Sequence, residues 1–205
     1  RVSSVEVINL STRLSARSSK KFVSNFSGVQ PFTTNFTNNA FSNPDDIFDL
    51  CSCDFDGDGK PDMAGSKFRD GKSNIMLLRN ASTVAANNTT LSFTQTALTL
   101  SVPTFSVACG DLNGDGKPEL VASRGGTVTG SNIYVFPNTS NVGTISFAAP
   151  VTLNLQTGDF AKEVAIADLD RDGKPEIIVT NGQTNNLYIF DNNVSAGVIN
   201  ADAFT

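Results

Sequence analysis

Apolar and small residues recur along this chain in short runs, separated by polar turns. The runs IFDLCSC (47–53), TFSVACG (104–110) and EVAIA (163–167) form one set. Each is followed, after an acidic Gly-rich stretch, by PDMAGS, PELVAS or PEIIVT. An apolar run, a tight Gly-rich turn and a second apolar run predict a β-hairpin. A third set follows in SNIMLLRN (73–80), SNIYVFPN (131–138) and NNLYIFDN (185–192). Asn/Ser/Thr-rich loops then lead to LSFTQTALTL (91–100) and ISFAAPVTLNL (145–155). No segment shows a 3.6-residue apolar period with helix caps.

The sets are in register. The acidic stretches DFDGDGKPDMAGS, DLNGDGKPELVAS and DLDRDGKPEIIVT begin at Asp54, Asp111 and Asp168, so both intervals are 57 residues. One period holds four short strands joined by turns, which predicts an all-β fold: a β-propeller of four-stranded antiparallel blades. An immunoglobulin-type sandwich needs about seven strands per unit, and solenoid rungs are normally shorter. The expected organisation is a single propeller segment over 1–205. It comprises a half blade and connector (1–46), blades at 47–103 and 104–160, and an incomplete blade at 161–205. SVEVINL (4–10) and FVSNFSGVQPFTT (22–34) align with third and fourth strands, and Phe204 with Phe147 and Phe93. The sum is about 3.5 blades, whereas propellers generally close with about 4–8. The expectation is a part of a larger closed propeller, with further blades of a parent chain or a second copy completing it.

The acidic stretches carry the candidate chemistry. Oxygen side chains stand at positions 1, 3, 5 and 9 of each. They are Asp54, Asp56, Asp58 and Asp62 in the first loop, and Asp111, Asn113, Asp115 and Glu119 in the second. Asp168, Asp170, Asp172 and Glu176 hold these positions in the third. Alternate residues of a curled loop can turn their oxygens toward one centre, which suits a hard cation taking about 6–8 oxygens. Position 7 is Lys60, Lys117 or Lys174, expected to offer its backbone carbonyl because an ammonium would repel the ion. Gly59, Gly116 and Gly173 at position 6 allow the sharp turn. Several carboxylates in one flexible loop favour Ca²⁺ over Mg²⁺, so three calcium sites are expected. An EF-hand loop would need a Glu at position 12, where Gly65, Ala122 and Val179 stand here, and helices on both flanks.

Composition narrows the classes. Eleven of the 20 acidic residues lie in the three loops, and three Ca²⁺ would take the formal charge from −5 to about +1. No Lys/Arg cluster exceeds Lys20–Lys21, so a nucleic-acid groove is not expected. No apolar run approaches the roughly 20 residues of a membrane-spanning helix. No secretion signal opens the sequence, which is expected if a leader was removed or the segment is internal. Cys51, Cys53 and Cys109 are expected to be small buried apolar residues; Cys51 and Cys53 share a strand face, where a direct bridge would be strained. The absence of His leaves zinc without a fourth ligand and removes the commonest general base. No nucleophile elbow, phosphate loop or H-E-x-x-H motif is present, and Asp45–Asp46 reads as a solvated turn, so catalysis is not expected.

The three acidic stretches resemble the calcium loops of FG-GAP/VCBS-type repeats, which form propeller blades in integrin α-subunit heads, some fungal lectins and many secreted bacterial proteins. The resemblance maps the family's ligand positions onto the residues named above, with Glu119 and Glu176 in place of Asp and Arg171 in place of Gly. It implies an extracellular or cell-surface module that recognises a glycan or a protein. The alternatives are a passive scaffold, or a non-catalytic accessory to a secreted polysaccharide-active enzyme. The absence of Trp tells against sugar stacking, and Tyr134 and Tyr188 are expected to pack within strands. Asn25, Asn35 and Asn138 open N-x-S/T sequons that matter only in a glycosylating host.

Overall fold

The computed structural model describes residues 47–67, 73–85, 88–90, 92–100, 103–124, 131–156, 158–195 and 197–205. The half blade expected within 1–46, with Asp45–Asp46 and the sequons at Asn25 and Asn35, lies outside them. The described chain is all-β. Its strands are β1 (Ile47–Cys53), β2 (Asp62–Lys67), β3 (Ser73–Asn80), β4 (Thr83–Ala85), β5 (Asn88–Thr90) and β6 (Phe93–Leu100). They continue as β7 (Thr104–Gly110), β8 (Glu119–Arg124), β9 (Asn132–Phe136), β10 (Val151–Asn154), β11 (Ala161–Ala167), β12 (Glu176–Asn181) and β13 (Leu187–Phe190). A single 3₁₀ turn at Ala201–Ala203 is the one helical element among the described residues.

The strands form three antiparallel meanders, ordered β1-β2-β3-β6, β7-β8-β9-β10 and β11-β12-β13, with β4-β5 a small separate hairpin. Each of the first two meanders is a four-stranded blade. The third stops its fourth strand at a single bridge. That bridge, Asn192 to Phe204, repeats Asn138 to Phe147 and the pair Asn80 to Phe93 that begins β6. In the second blade the expected run 145–155 is interrupted. It pairs at Phe147, breaks before Pro150, which has no N–H to give a ladder, and resumes as β10. The small hairpin β4-β5 has no counterpart in the expected strand pattern.

The first strand of every blade carries a bulge at the same place, between Ile47 and Asp49, Thr104 and Val107, and Ala161 and Val164. These strands lie side by side and the blades pack face to face, so the described part is an open arc of consecutive blades. One core fills the space between the first and second blades, with Phe55, Ile75, Leu77, Leu120 and Phe136. Another fills the space between the second and third, with Val121, Ile133, Val135, Ile177 and Val179. Strand β8 serves both: Leu120 and Ala122 face one core and Val121 the other, as the two-residue side-chain period of a strand requires.

The two interfaces use the same polar contacts. Ser66 Oγ donates to the Phe105 carbonyl at 2.8 Å, and Ser123 Oγ to that of Lys162 at 3.1 Å. Asp49 Oδ2 accepts from Ser106 Oγ and from Val107 N (3.0 Å), and Ser106 Oγ in turn accepts from Val164 N (3.1 Å). Asp49 and Ser106 are 57 positions apart, so the repeat reappears as a contact between neighbours.

The cysteines correct the sequence expectation. Cys53 and Cys109 form a disulfide with Cα atoms 6.4 Å apart, and only Cys51 is a free thiol. Two residues distant in sequence and on different blades meet because β1 and β7 are neighbours in space. The equivalent place between the next two blades is taken by Gly110, where an added Cβ would meet Ile166 at 2.9 Å. A covalent staple at one interface thus replaces a close apolar contact at the other. Cys51 stays half-buried against the core, and burial pushes its thiol up to about 12, beyond reach as a nucleophile near neutral pH.

Candidate metal centre

Each acidic loop is held by its own backbone. The carboxylate at position 1 accepts from the N–H at position 6: Asp54 Oδ2 from Gly59 (2.8 Å), Asp111 Oδ2 from Gly116 (2.8 Å) and Asp168 Oδ2 from Gly173 (3.2 Å). Position 3 accepts from position 5: Asp56 from Asp58 N (3.1 Å), Asn113 from Asp115 N (2.9 Å) and Asp170 from Asp172 N (3.0 Å). Position 5 accepts from the Lys at position 7: Asp58 from Lys60 N (2.9 Å), Asp115 from Lys117 N (2.8 Å) and Asp172 from Lys174 N (2.8 Å). These linked side-chain turns curl the loop, as short Asp and Asn side chains do when they bond backbone two residues on.

The curl needs left-handed backbone at positions 4 and 6. Glycine takes that conformation at φ 72° and 84° in the first loop and 75° and 84° in the second. In the third loop Arg171 takes it at φ 69°, beside Gly173 at 89°, a conformation that costs a side-chain-bearing residue about 1–2 kcal/mol.

Position 9 lies at the base of the hairpin; Asp62 stands apart from Asp54, Asp56 and Asp58, whereas Glu176 joins Asp168 and Asp170. Asp62, Glu119 and Glu176 are buried and accept from the position 2 N–H of Phe55 (3.0 Å), Leu112 (2.9 Å) and Leu169 (2.6 Å). Asp62 and Glu119 also accept from the N–H of Asn80 (2.7 Å) and Asn138 (3.3 Å) at the end of the third strand. Burial is the main reason that Asp62 is held above its usual range and that Glu119 rises to about 7, with neighbouring carboxylates adding to the shift.

The donor chemistry fits a hard cation. In the first loop Asp54, Asp56 and Asp58 each bring a carboxylate oxygen within 4.8 Å of the others, and in the third Asp168, Asp170 and Glu176 do so. The second loop has no such carboxylate triplet because Asn113 supplies an amide oxygen at position 3. Asp62 stands outside the triplet of its loop and Asp172 outside that of the third. The lysine side chains turn to local acceptors: Lys60 Nζ to Asp58 Oδ2 at 3.3 Å and Lys117 Nζ to the Ser140 carbonyl at 2.8 Å.

Two sets of residues at these loops escaped the sequence reading. Asn80, Asn138 and Asn192 end the third-strand runs. Each donates its amide to a loop proline carbonyl, that of Pro61, Pro118 or Pro175, at 2.8–3.0 Å. Asn138 and Asn192 also reach the previous blade, donating to the carbonyls of Phe55 and Leu112. The recurring terminal Asn in SNIMLLRN, SNIYVFPN and NNLYIFDN was the available signal. Arg79 is the second: its Nε donates to Asp56 Oδ2 at 2.7 Å and its Nη2 to Asp58 Oδ2 at 3.4 Å. Burial of Asp56 works against ionisation, but Arg79 and the amides of Gly143 and Asp58 outweigh it and hold the carboxyl below its usual range.

Tyr134 packs against the first core, and Tyr188 packs against the second while donating its hydroxyl to Asp159 at 2.6 Å. Away from the loops, a cleft of about 370 Å³ opens where the bulged first strands meet, lined by Phe48, Phe105, Lys162 and Glu163 among others.

A family model described as FG-GAP-like repeat matches residues 54–122 and 126–179, more than half of the chain. No curated protein and no solved structure matches it.

Proposed function

Because the chain belongs to the FG-GAP-like repeat family, we propose that it is a calcium-stabilised extracellular module for binding or adhesion, recognising a glycan or a protein partner. The observation that carries this reading is the recurrence of one backbone-held oxygen constellation in three loops, with carboxylate triplets in two of them. FG-GAP repeats often bind calcium. Here Asp54, Asp56 and Asp58, with the Lys60 carbonyl and Asp62 behind them, would hold one ion. Asp111, Asn113, Asp115, the Lys117 carbonyl and Glu119 would hold a second, and Asp168, Asp170, Asp172, the Lys174 carbonyl and Glu176 a third. Bound calcium supplies positive charge that offsets the crowded carboxylates. The protein's part is to curl each loop and to brace its base through position 9 and the third-strand Asn.

The role assigned to the metal is structural. The family is generally non-catalytic, and the chain has no His to act as a general base. The Cys53–Cys109 disulfide fits an oxidising compartment, which supports the extracellular reading. In extracellular fluid calcium would keep such loops filled. The cleft beside Phe48 and Phe105 offers an apolar wall with charged side chains at its rim, a composition suited to a mixed polar and apolar partner.

A broad glycan array probed in calcium and again in chelator tests the recognition claim. A specific signal in calcium that disappears in chelator is the expected result. A blank array from protein that is folded in calcium would overturn glycan recognition and leave protein adhesion or a scaffold role.

A further inference from the structure

Asp56 is a node as well as a candidate ligand. Its side chain is fully buried, and its Oδ2 accepts two hydrogen bonds, from Arg79 Nε at 2.7 Å and from Gly143 N at 2.9 Å. A carboxylate oxygen has two lone pairs in its plane, so both are spent. Its other oxygen accepts from Asp58 N, and Asp58 Oδ2 lies 3.4 Å from Arg79 Nη2. The guanidinium therefore spans two members of the first carboxylate triplet. It reaches them across 23 and 21 residues of sequence, from the end of β3. A planar guanidinium keeps its charge at any pH the protein meets and its fork suits paired carboxylate oxygens.

The other two loops lack this cation. Arg79 is the seventh residue of SNIMLLRN, where SNIYVFPN has Pro137 and NNLYIFDN has Asp191. Among the described residues, no ion pair reaches the carboxylates of the second or third loop. In the second loop position 3 is also neutral: the Asn113 amide meets the Gly197 carbonyl of the next blade, where Asp56 meets the Gly143 amide.

We propose that Arg79 is a tethered cation of the first acidic loop: it holds Asp56 and Asp58 together without a metal, and it competes with a divalent cation for them. The proposal rests on the calcium reading of the loops and adds a difference between them. The first loop keeps its shape in chelator and binds calcium weakly, because a fixed positive charge sits on two of its ligands. The second and third loops depend on the ion.

Calorimetric titration of the whole chain with calcium chloride, alongside thermal melts in calcium and in chelator, tests this on wild type and Arg79→Met. Removing the guanidinium should tighten one calcium site by tenfold or more and leave the other two unchanged. It should also lower the melting temperature in chelator more than in calcium. Lys60→Met, which removes the more exposed ammonium near Asp58, should do neither to the same degree. Arg79→Gln, which keeps donors without charge, replaces the Met variant if that one does not fold. Unchanged or weakened calcium binding in the Arg79 variants would overturn the competition. If neither wild type nor variant binds calcium, the calcium reading fails and the competition with it. Tethering is then decided by the melts in chelator, where Arg79→Met and Asp56→Asn should each destabilise and their double variant should cost less than the sum. Additive losses would overturn the tether.

Discussion

Glu119 shows what burial does to a loop carboxylate. Its side chain is enclosed at the base of the second hairpin, and desolvation raises its pKa from 4.5 to about 7 despite two backbone donors. The folded protein therefore keeps a proton that the unfolded chain has already released between pH 4.5 and 7. Ionisation opposes folding, so this group's contribution is most favourable at low pH and declines as pH rises through about 7. A cation at the loop acts in the other direction, because it favours the ionised form. Glu119→Gln removes the titration. In chelator, the variant should gain stability relative to wild type between pH 5 and pH 8, read from urea unfolding at each pH. Any fixed cost of the substitution cancels in that comparison. Parallel pH profiles for the two proteins would show that Glu119 does not titrate with folding.

The hairpins are the elements that the sequence makes most legible. The apolar runs flanking each acidic stretch, and its Gly at position 6, predict β1-β2, β7-β8 and β11-β12, and the Asp-rich turns are the physical reason that those strands double back. Contacts between elements are less legible. Cys53 and Cys109 carry no local signal of pairing, because what joins them is the lateral neighbourhood of β1 and β7. Arg79 is hidden for the same reason, since it reads as an exposed strand-end cation until the loop folds back over it. The apolar residues of 145–155 predict one continuous fourth strand in the second blade, but Pro150 splits it. The disulfide closes a segment of 56 residues, and loop-closure entropy assigns such a link about 4 kcal/mol. Cys53→Ala/Cys109→Ala should lose stability on that scale in urea unfolding. Because the staple joins two blades, the loss should appear in the cooperative transition of the first two blades. Equal stability of oxidised and cysteine-free protein would mean that apolar packing and the polar contacts of Ser66 and Asp49 hold this interface without the staple.

At the scale of the whole arc, the same positions meet different fates. Ile133 and Val135 on β9 are fully buried against the third blade, while Leu187 and Ile189, at the corresponding places on β13, are 59% and 51% exposed. Leu112 is buried and its counterpart Leu169 is half exposed. Within the described residues, the third blade thus exposes the face whose counterparts on its predecessors are covered by the next blade. Backbone N–H groups hold the crowded carboxylates of each acidic loop, and Arg79 adds a cation in the first, so the ion is assigned the remaining compensation. A site filled at 100-fold above its Kd contributes about 2.7 kcal/mol, which for a chain of this size corresponds to about 5–10 °C in melting temperature. The measurement that bears most directly on this account is the thermal melt of the wild-type chain in millimolar calcium and in chelator. The melting temperature is predicted to fall by several degrees in chelator and to return when calcium is restored. Superimposable melts in the two conditions would contradict the assignment of the loops as calcium-dependent braces.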